Sequence, residues 1–264
     1  MTTPQQHARH IATAITQAWD KTYGPSRFEV PMSVAASICL LRTVPQEDKP
    51  ERVLEESLPQ LPTPEFINEL WARWGLSTDL WPELSPRWTC LSEWMPGISP
   101  TIGRPLAAGA RSVAAACIEA GLPELIDDAN ARSTVDALGH ILHSLYAQVY
   151  AMGTDPLLSQ APALDAQRIA ALHPGATLTL LQVWSGTRIM HIATRLRQRG
   201  IDPASLTWQL RVIDELAAAV LATNCVLWGI DRSAVIGISD DDQTWLEEAH
   251  HERTAALLGD FDQS

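Results

Sequence analysis

The stretch Thr177-Leu178-Thr179-Leu180-Leu181-Gln182-Val183-Trp184-Ser185-Gly186-Thr187 decides how the rest of the chain is read. Its apolar run Leu178–Trp184 predicts a strand, and Ser185-Gly186-Thr187 predicts a turn into a helix over Arg188–Arg199. Beyond it the pattern continues with a strand at Leu206–Ile213, a helix at Glu215–Trp228 and a short strand at Ala234–Ile238. Strand, helix, strand, helix, strand is half of a doubly wound sheet of the nucleotide-binding kind. In such a half-sheet the first turn lies at a helix N-terminus, whose free N–H groups can receive an anion or a cofactor carboxylate.

Upstream, the periodicity is that of helices alone. His7–Lys21 places Ile11, Ala14, Ile15, Ala18 and Trp19 on one face. Glu29–Arg42 follows, with Val34, Ala35, Ile38 and Leu41 inward. Val44–Pro64 is proline-rich and acidic, a connection with one short helical piece around Glu51–Leu58. Thr63-Pro64-Glu65 reads as a helix start, with Thr63 as N-cap and Phe66, Leu70, Trp71 and Trp74 as the apolar face. Trp81, Trp88 and Trp94, broken by Pro82, Pro86 and Pro96, are best read as large side chains sealing irregular joints between helices. Pro105–Ala120 is a helix ending at Gly121, Ala131–Met152 is the longest helical pattern and closes at Gly153, and Asp165–Ala171 is a further short helix. The expected fold is thus mixed α and α/β, mostly helical. A helical N-terminal domain (1–155) precedes a partial Rossmann-like three-stranded α/β unit (156–264).

Composition narrows the function. The 264 residues carry a formal charge of −12, which opposes binding to bare phosphate backbone, although Arg188, Arg195, Arg197 and Arg199 form a local basic group. The four cysteines Cys39, Cys90, Cys117 and Cys225 are far apart among apolar residues and read as free thiols. Met1–His10 lacks an apolar signal core and no run of ~18 apolar residues occurs, so a cytoplasmic protein without membrane contact is expected. His140 and His143 share a helix face at a spacing that suits a metal, but no acidic partner accompanies them, and no metal site is assigned. There is no G-x-S-x-G, no P-loop and no G-x-G-x-x-G.

Ile189–Gly200, Asp202-Pro203, Trp208 and the run Asp214–Gly229 carry a resemblance. Over Thr177–Asp240, about a quarter of the chain, the sequence resembles the cofactor domain of N6-adenine DNA methyltransferases. The likeness is nearest to actinobacterial proteins similar to the modification subunits of type I restriction systems. The resemblance implies a helical N-terminal domain before a Rossmann-like domain that binds S-adenosylmethionine. It places vestigial cofactor contacts at Ser185 and Gly186 in the first turn, at Asp214 after the second strand and at Asp240 after the third.

The departures from that family are specific. Its first loop reads acid-Pro-x-x-Gly-x-Gly, whereas Leu180 and Leu181 stand at the acid and the proline, and Trp184 at the first glycine. Val212 stands where the family's ribose-binding acid belongs. The family's Asn/Asp/Ser-Pro-Pro-aromatic loop, which holds the target amine of a flipped base, occurs nowhere in the chain. Losing one hydrogen-bonded charged partner costs about 1.5–3 kcal/mol, and here several are replaced by apolar groups. The expectation is a catalytically degenerate methyltransferase-like protein with no catalytic residues and no bound cofactor, S-adenosylmethionine being the one candidate. It would act as a binding, regulatory or assembly module, with a link to DNA modification or restriction. A sheet edge left open by missing strands calls for a protein partner, a second copy or the N-terminal helices to cover it. Two alternatives remain at this stage: a DNA-associated factor that keeps target binding, and an enzyme of another class using an interdomain cleft.

Overall fold

The computed structural model describes residues 3–44, 55–95, 100–150, 166–240 and 243–259. The expected helical piece at Glu51–Leu58 lies partly outside them, as do Pro96, Met152, Gly153 and Asp165. The described chain is mostly helical with one small parallel sheet, a mix of α and α/β organisation. Among the described residues no helix is long and apolar enough to cross a membrane.

Helix α1 (Pro4–Thr22) starts on a capping box in which Thr3 and Gln6 satisfy each other's backbone N–H groups. Helix α2 (Glu29–Thr43) is buried on every side from Val30 to Leu41. The sequence pattern had suggested one inward face, but a helix apolar all round belongs in the centre of the packing. A 3₁₀ segment (Glu55–Gln60) leads into α3 (Thr63–Leu80), whose cap is Pro62, one residue before the expected Thr63. A second 3₁₀ segment (Pro82–Trp88) and the short α4 (Thr89–Ser92) follow. Trp88 is buried here, 5.8 Å from Trp74 and 6.4 Å from Trp81 between ring centroids, and so seals the joint as the sequence suggested.

Helix α5 (Pro100–Glu119) crosses α1 closely, since a Cβ on Gly109 would stand 2.6 Å from the Trp19 ring. The long pattern expected over Ala131–Met152 is broken. Helices α6 (Leu122–Asp127) and α7 (Ala129–Thr134) are followed by an extended Val135 and then by α8 (Ala137–Ala147), which Asp136 caps. Periodicity alone ran across this break because Val135, Leu138, Ile141, Leu142 and Leu145 are all buried. Asp136 ends one segment and starts the next by supplying its own acceptor to the backbone.

After α9 (Ala166–Ala170) come β1 (Thr177–Leu180), α10 (Thr187–Gln198), β2 (Thr207–Val212), α11 (Glu215–Leu227), β3 (Ala234–Ile238) and α12 (Trp245–Leu258). The strands are parallel in the order β1-β2-β3, with Leu180 beside Leu210 and Leu210 beside Ile236. Strand β1 is shorter than its apolar run because Gln182 takes a positive φ of 55°, which interrupts the regular pairing, although the Val183 N–H still donates to the Arg211 carbonyl of β2 at 2.8 Å. Helix α11, buried from Ala217 to Leu227, packs against α2. Trp88 on the helical side donates to Thr223 Oγ1 at 3.2 Å. One apolar cluster therefore runs continuously from Ala8 in α1 to Ile236 in β3.

The two sheet edges differ. No strand among the described residues pairs with the outer edge of β1, where Thr177 and Thr179 are exposed. At β3, Arg253 of α12 donates to the carbonyls of Ala234 and Arg232, each at 2.6 Å. Helix α12 lies so close to β3 that a Cβ on Gly237 would meet the Trp245 ring at 2.7 Å and its carbonyl oxygen at 3.0 Å. Gly237→Ala should therefore destabilise the chain by about 1–3 kcal/mol in urea unfolding through overpacking. An unchanged midpoint would mean that α12 does not rest on β3.

Candidate functional site

The turn after β1 is where an anion would be received, and in this protein the anion is internal. Asp136, only 2% exposed, lies with its carboxylate among four donors from three segments. Oδ1 accepts from the Gly139 N–H at 2.7 Å and from Asn224 Nδ2 at 2.8 Å. Oδ2 accepts from Ser185 Oγ at 2.6 Å and from Thr187 Oγ1 at 2.7 Å. Asn224 Nδ2 also donates to the Ser185 carbonyl at 2.9 Å. A buried carboxylate is tolerated only when its lone pairs are matched, and short charge-assisted bonds do so here. The first turn of α8 adds the positive end of its peptide dipoles.

Two glycines let these segments approach. At Gly139 a Cβ would fall 2.2 Å from Asp136 Oδ2 and 2.3 Å from Ser185 Oγ. Gly186 has a φ of 104°, and a Cβ there would meet Leu221 Cδ1 at 2.6 Å and the Trp228 ring at 2.9 Å. The freedom of Gly186 thus serves packing of the turn on α11, with no room left for a ligand on that side. Ser185 is fully buried.

The other residues singled out in the sequence lie elsewhere. Asp214 caps α11 by accepting from the Ala217 N–H at 2.7 Å, and its second oxygen accepts from the Tyr146 hydroxyl at 3.0 Å. Tyr146 packs against Trp184 with ring centroids 5.5 Å apart, so Trp184 fills a joint with the helical part. Burial, with the Asp214 carboxylate behind it, pushes the Tyr146 phenol well above its ordinary range. Asp240 is exposed after β3 and takes no part in this arrangement. His140 and His143 sit on α8, and the described residues hold no group of three or more histidines, cysteines or acids fit for a metal. Of the basic group on α10, Arg199 donates to the carbonyls of Ile169 at 2.6 Å and Ala170 at 3.0 Å, and Arg197 donates to that of Trp228. Two of the four arginines in that local basic group are thus engaged with backbone carbonyls within the protein.

Asp136, Asn224 and Tyr146 did not emerge as functional residues from the sequence. Asn224 carried a signal, the one amide in a largely apolar helix. Asp136 carried another, an N-cap type residue directly before the apolar run that became α8.

Beside Asp214 opens a cleft of about 720 Å³. Phe28, Trp94, Tyr146 and Tyr150 supply aromatic walls, and Glu29, Glu93, Asp214 and Glu215 supply carboxylates. Cys90 borders it, and its thiol is pushed up to about 12, by burial first and then by Glu215, Glu29, Asp214 and Glu93. Comparison with known proteins finds no matching family model, no matching curated protein and no matching solved structure.

Cys90 is half-buried, while the other three cysteines are buried. With its thiol near 12, the thiolate fraction at pH 8 is on the order of 10⁻⁴. Its alkylation by iodoacetamide, scored against Cys90→Ser, should accelerate about tenfold per pH unit from pH 8 to pH 10. A rate that levels off near pH 9 would contradict the acidic surroundings described here.

Proposed function

We propose that this chain is a non-catalytic binding or assembly module, a degenerate methyltransferase-like protein whose Rossmann-like half-sheet serves as a scaffold. The observation that carries the reading is the Asp136 carboxylate, which takes the hydroxyls of Ser185 and Thr187 and buries the turn. A cofactor carboxylate arriving there would meet a resident negative charge and side chains already bonded. Support also comes from the parallel order β1-β2-β3, which is that of half a doubly wound sheet. The replacement of the ribose-binding acid by Val212, fully buried at the end of β2, points the same way. So does the lack of a Pro-Pro-aromatic loop in the sequence.

A role on DNA is the weaker reading. The net charge is −12, and Arg197 and Arg199 of the basic group are committed to backbone carbonyls. The open edge of β1 and the cleft beside Asp214 are surfaces on which a module of this kind would act.

Calorimetry with S-adenosylmethionine and S-adenosylhomocysteine tests the closed turn. Both should bind more weakly than about 1 mM. Micromolar binding of either would overturn the proposal.

A further inference from the structure

We infer that the cleft beside Asp214 binds a small organic cation, an alkylammonium or guanidinium group. It goes beyond the closed turn, since its walls come from the α1–α2 connection, α4, the end of α8 and the start of α11. A volume of about 720 Å³ is that of a site for a small molecule.

The lining chooses the ligand's charge. Four carboxylates (Glu29, Glu93, Asp214 and Glu215) meet one guanidinium, Arg27, which is already ion-paired with Glu29. Nearby Arg87 is ion-paired with Glu252 on α12. The excess of negative charge rejects anions and draws in a cation. The raised thiol of Cys90 reports the same field at an uncharged neighbour.

The aromatic walls choose an organic cation over an inorganic one. Tyr146 stands edge-on to Phe28, with centroids 5.6 Å apart at 70°, and lies 5.7 Å from Tyr150. Aromatic rings beside carboxylates favour an ammonium or guanidinium over an inorganic cation. The acids are not grouped for metal ligation among the described residues.

A third feature points to a polar atom on the same ligand. Trp94 lines the cleft and is 5% exposed, yet its indole Nε1 has no hydrogen-bond partner among the described residues. A buried indole N–H ordinarily finds an acceptor. A carbonyl or ester on the ligand, beside its cation, is the kind of acceptor this indole lacks.

Calorimetry on the full chain with Nα-acetyl-arginine methyl ester and its neutral isostere Nα-acetyl-citrulline methyl ester tests this. The arginine ester should bind with a submillimolar Kd, and the citrulline ester about tenfold more weakly. Glu93→Gln and Tyr150→Leu, both at exposed positions, should each weaken the arginine ester roughly threefold or more without moving the Tm. Equal binding of the two esters, no binding of either, or unchanged affinity in both variants would overturn the inference. So would binding of an arginine-bearing peptide when the ester does not bind, since the site would then serve a protein surface. S-adenosylhomocysteine separates this claim from the closed turn: its binding bears on Ser185–Thr187, and the esters bear on the cleft alone.

Discussion

A single buried carboxylate fixes how the two halves of the molecule meet. Asp136 starts α8, ties the turn after β1 through Ser185 and Thr187, and reaches α11 through Asn224. None of these bonds has water to fall back on, because the group is 2% exposed. Removing the acceptor would strand several donors at once, and stranding is what makes buried polar networks costly to break. Around this point the apolar packing is continuous, with α2 and α11 as central helices and Trp88 bonded across to Thr223. The polar contacts set the register of the halves, and the apolar ones supply the bulk of the burial.

That constraint has a functional consequence. In a half-sheet of this order the turn after the first strand is the natural place for a ligand's negative charge. Here the protein supplies the charge itself, and Gly186 packs on Leu221 and Trp228. Polar space opens one step away, past the Trp184–Tyr146 contact, where Asp214 borders an acidic, aromatic cleft. Nothing in the cleft forms a nucleophile–base pair: its one thiol, Cys90, is held protonated, and Tyr146 is tied to Asp214.

Much of the secondary structure was legible in the sequence because its elements are strongly periodic. β3 falls on Ala234–Ile238 as expected, and α10, α11 and β2 fall within one residue of the expected bounds at each end. The misreadings have local causes. The helix expected over Ala131–Met152 is interrupted because an apolar period continues through a residue, Asp136, that uses its side chain as a cap. Strand β1 stops at Leu180 because Gln182 adopts a left-handed conformation that no residue type announces. Leu180 and Val212 are buried apolar groups within the strands, whereas Leu181 beside them is exposed. The network itself was not legible, since its members Asp136, Ser185 and Asn224 are brought together from 88 residues of separation. The cleft was equally hidden, being assembled from four stretches whose acids each read as ordinary surface charge.

Asp136 and the turn after β1 hold each other. A double-mutant cycle on Asp136→Ala and Ser185→Ala, followed by urea unfolding, measures this directly. A coupling of about 1 kcal/mol or more is expected, since the hydrogen bond is buried and charge-assisted. Effects that add to within about 0.3 kcal/mol would contradict it, for the carboxylate would then not be what fills the turn.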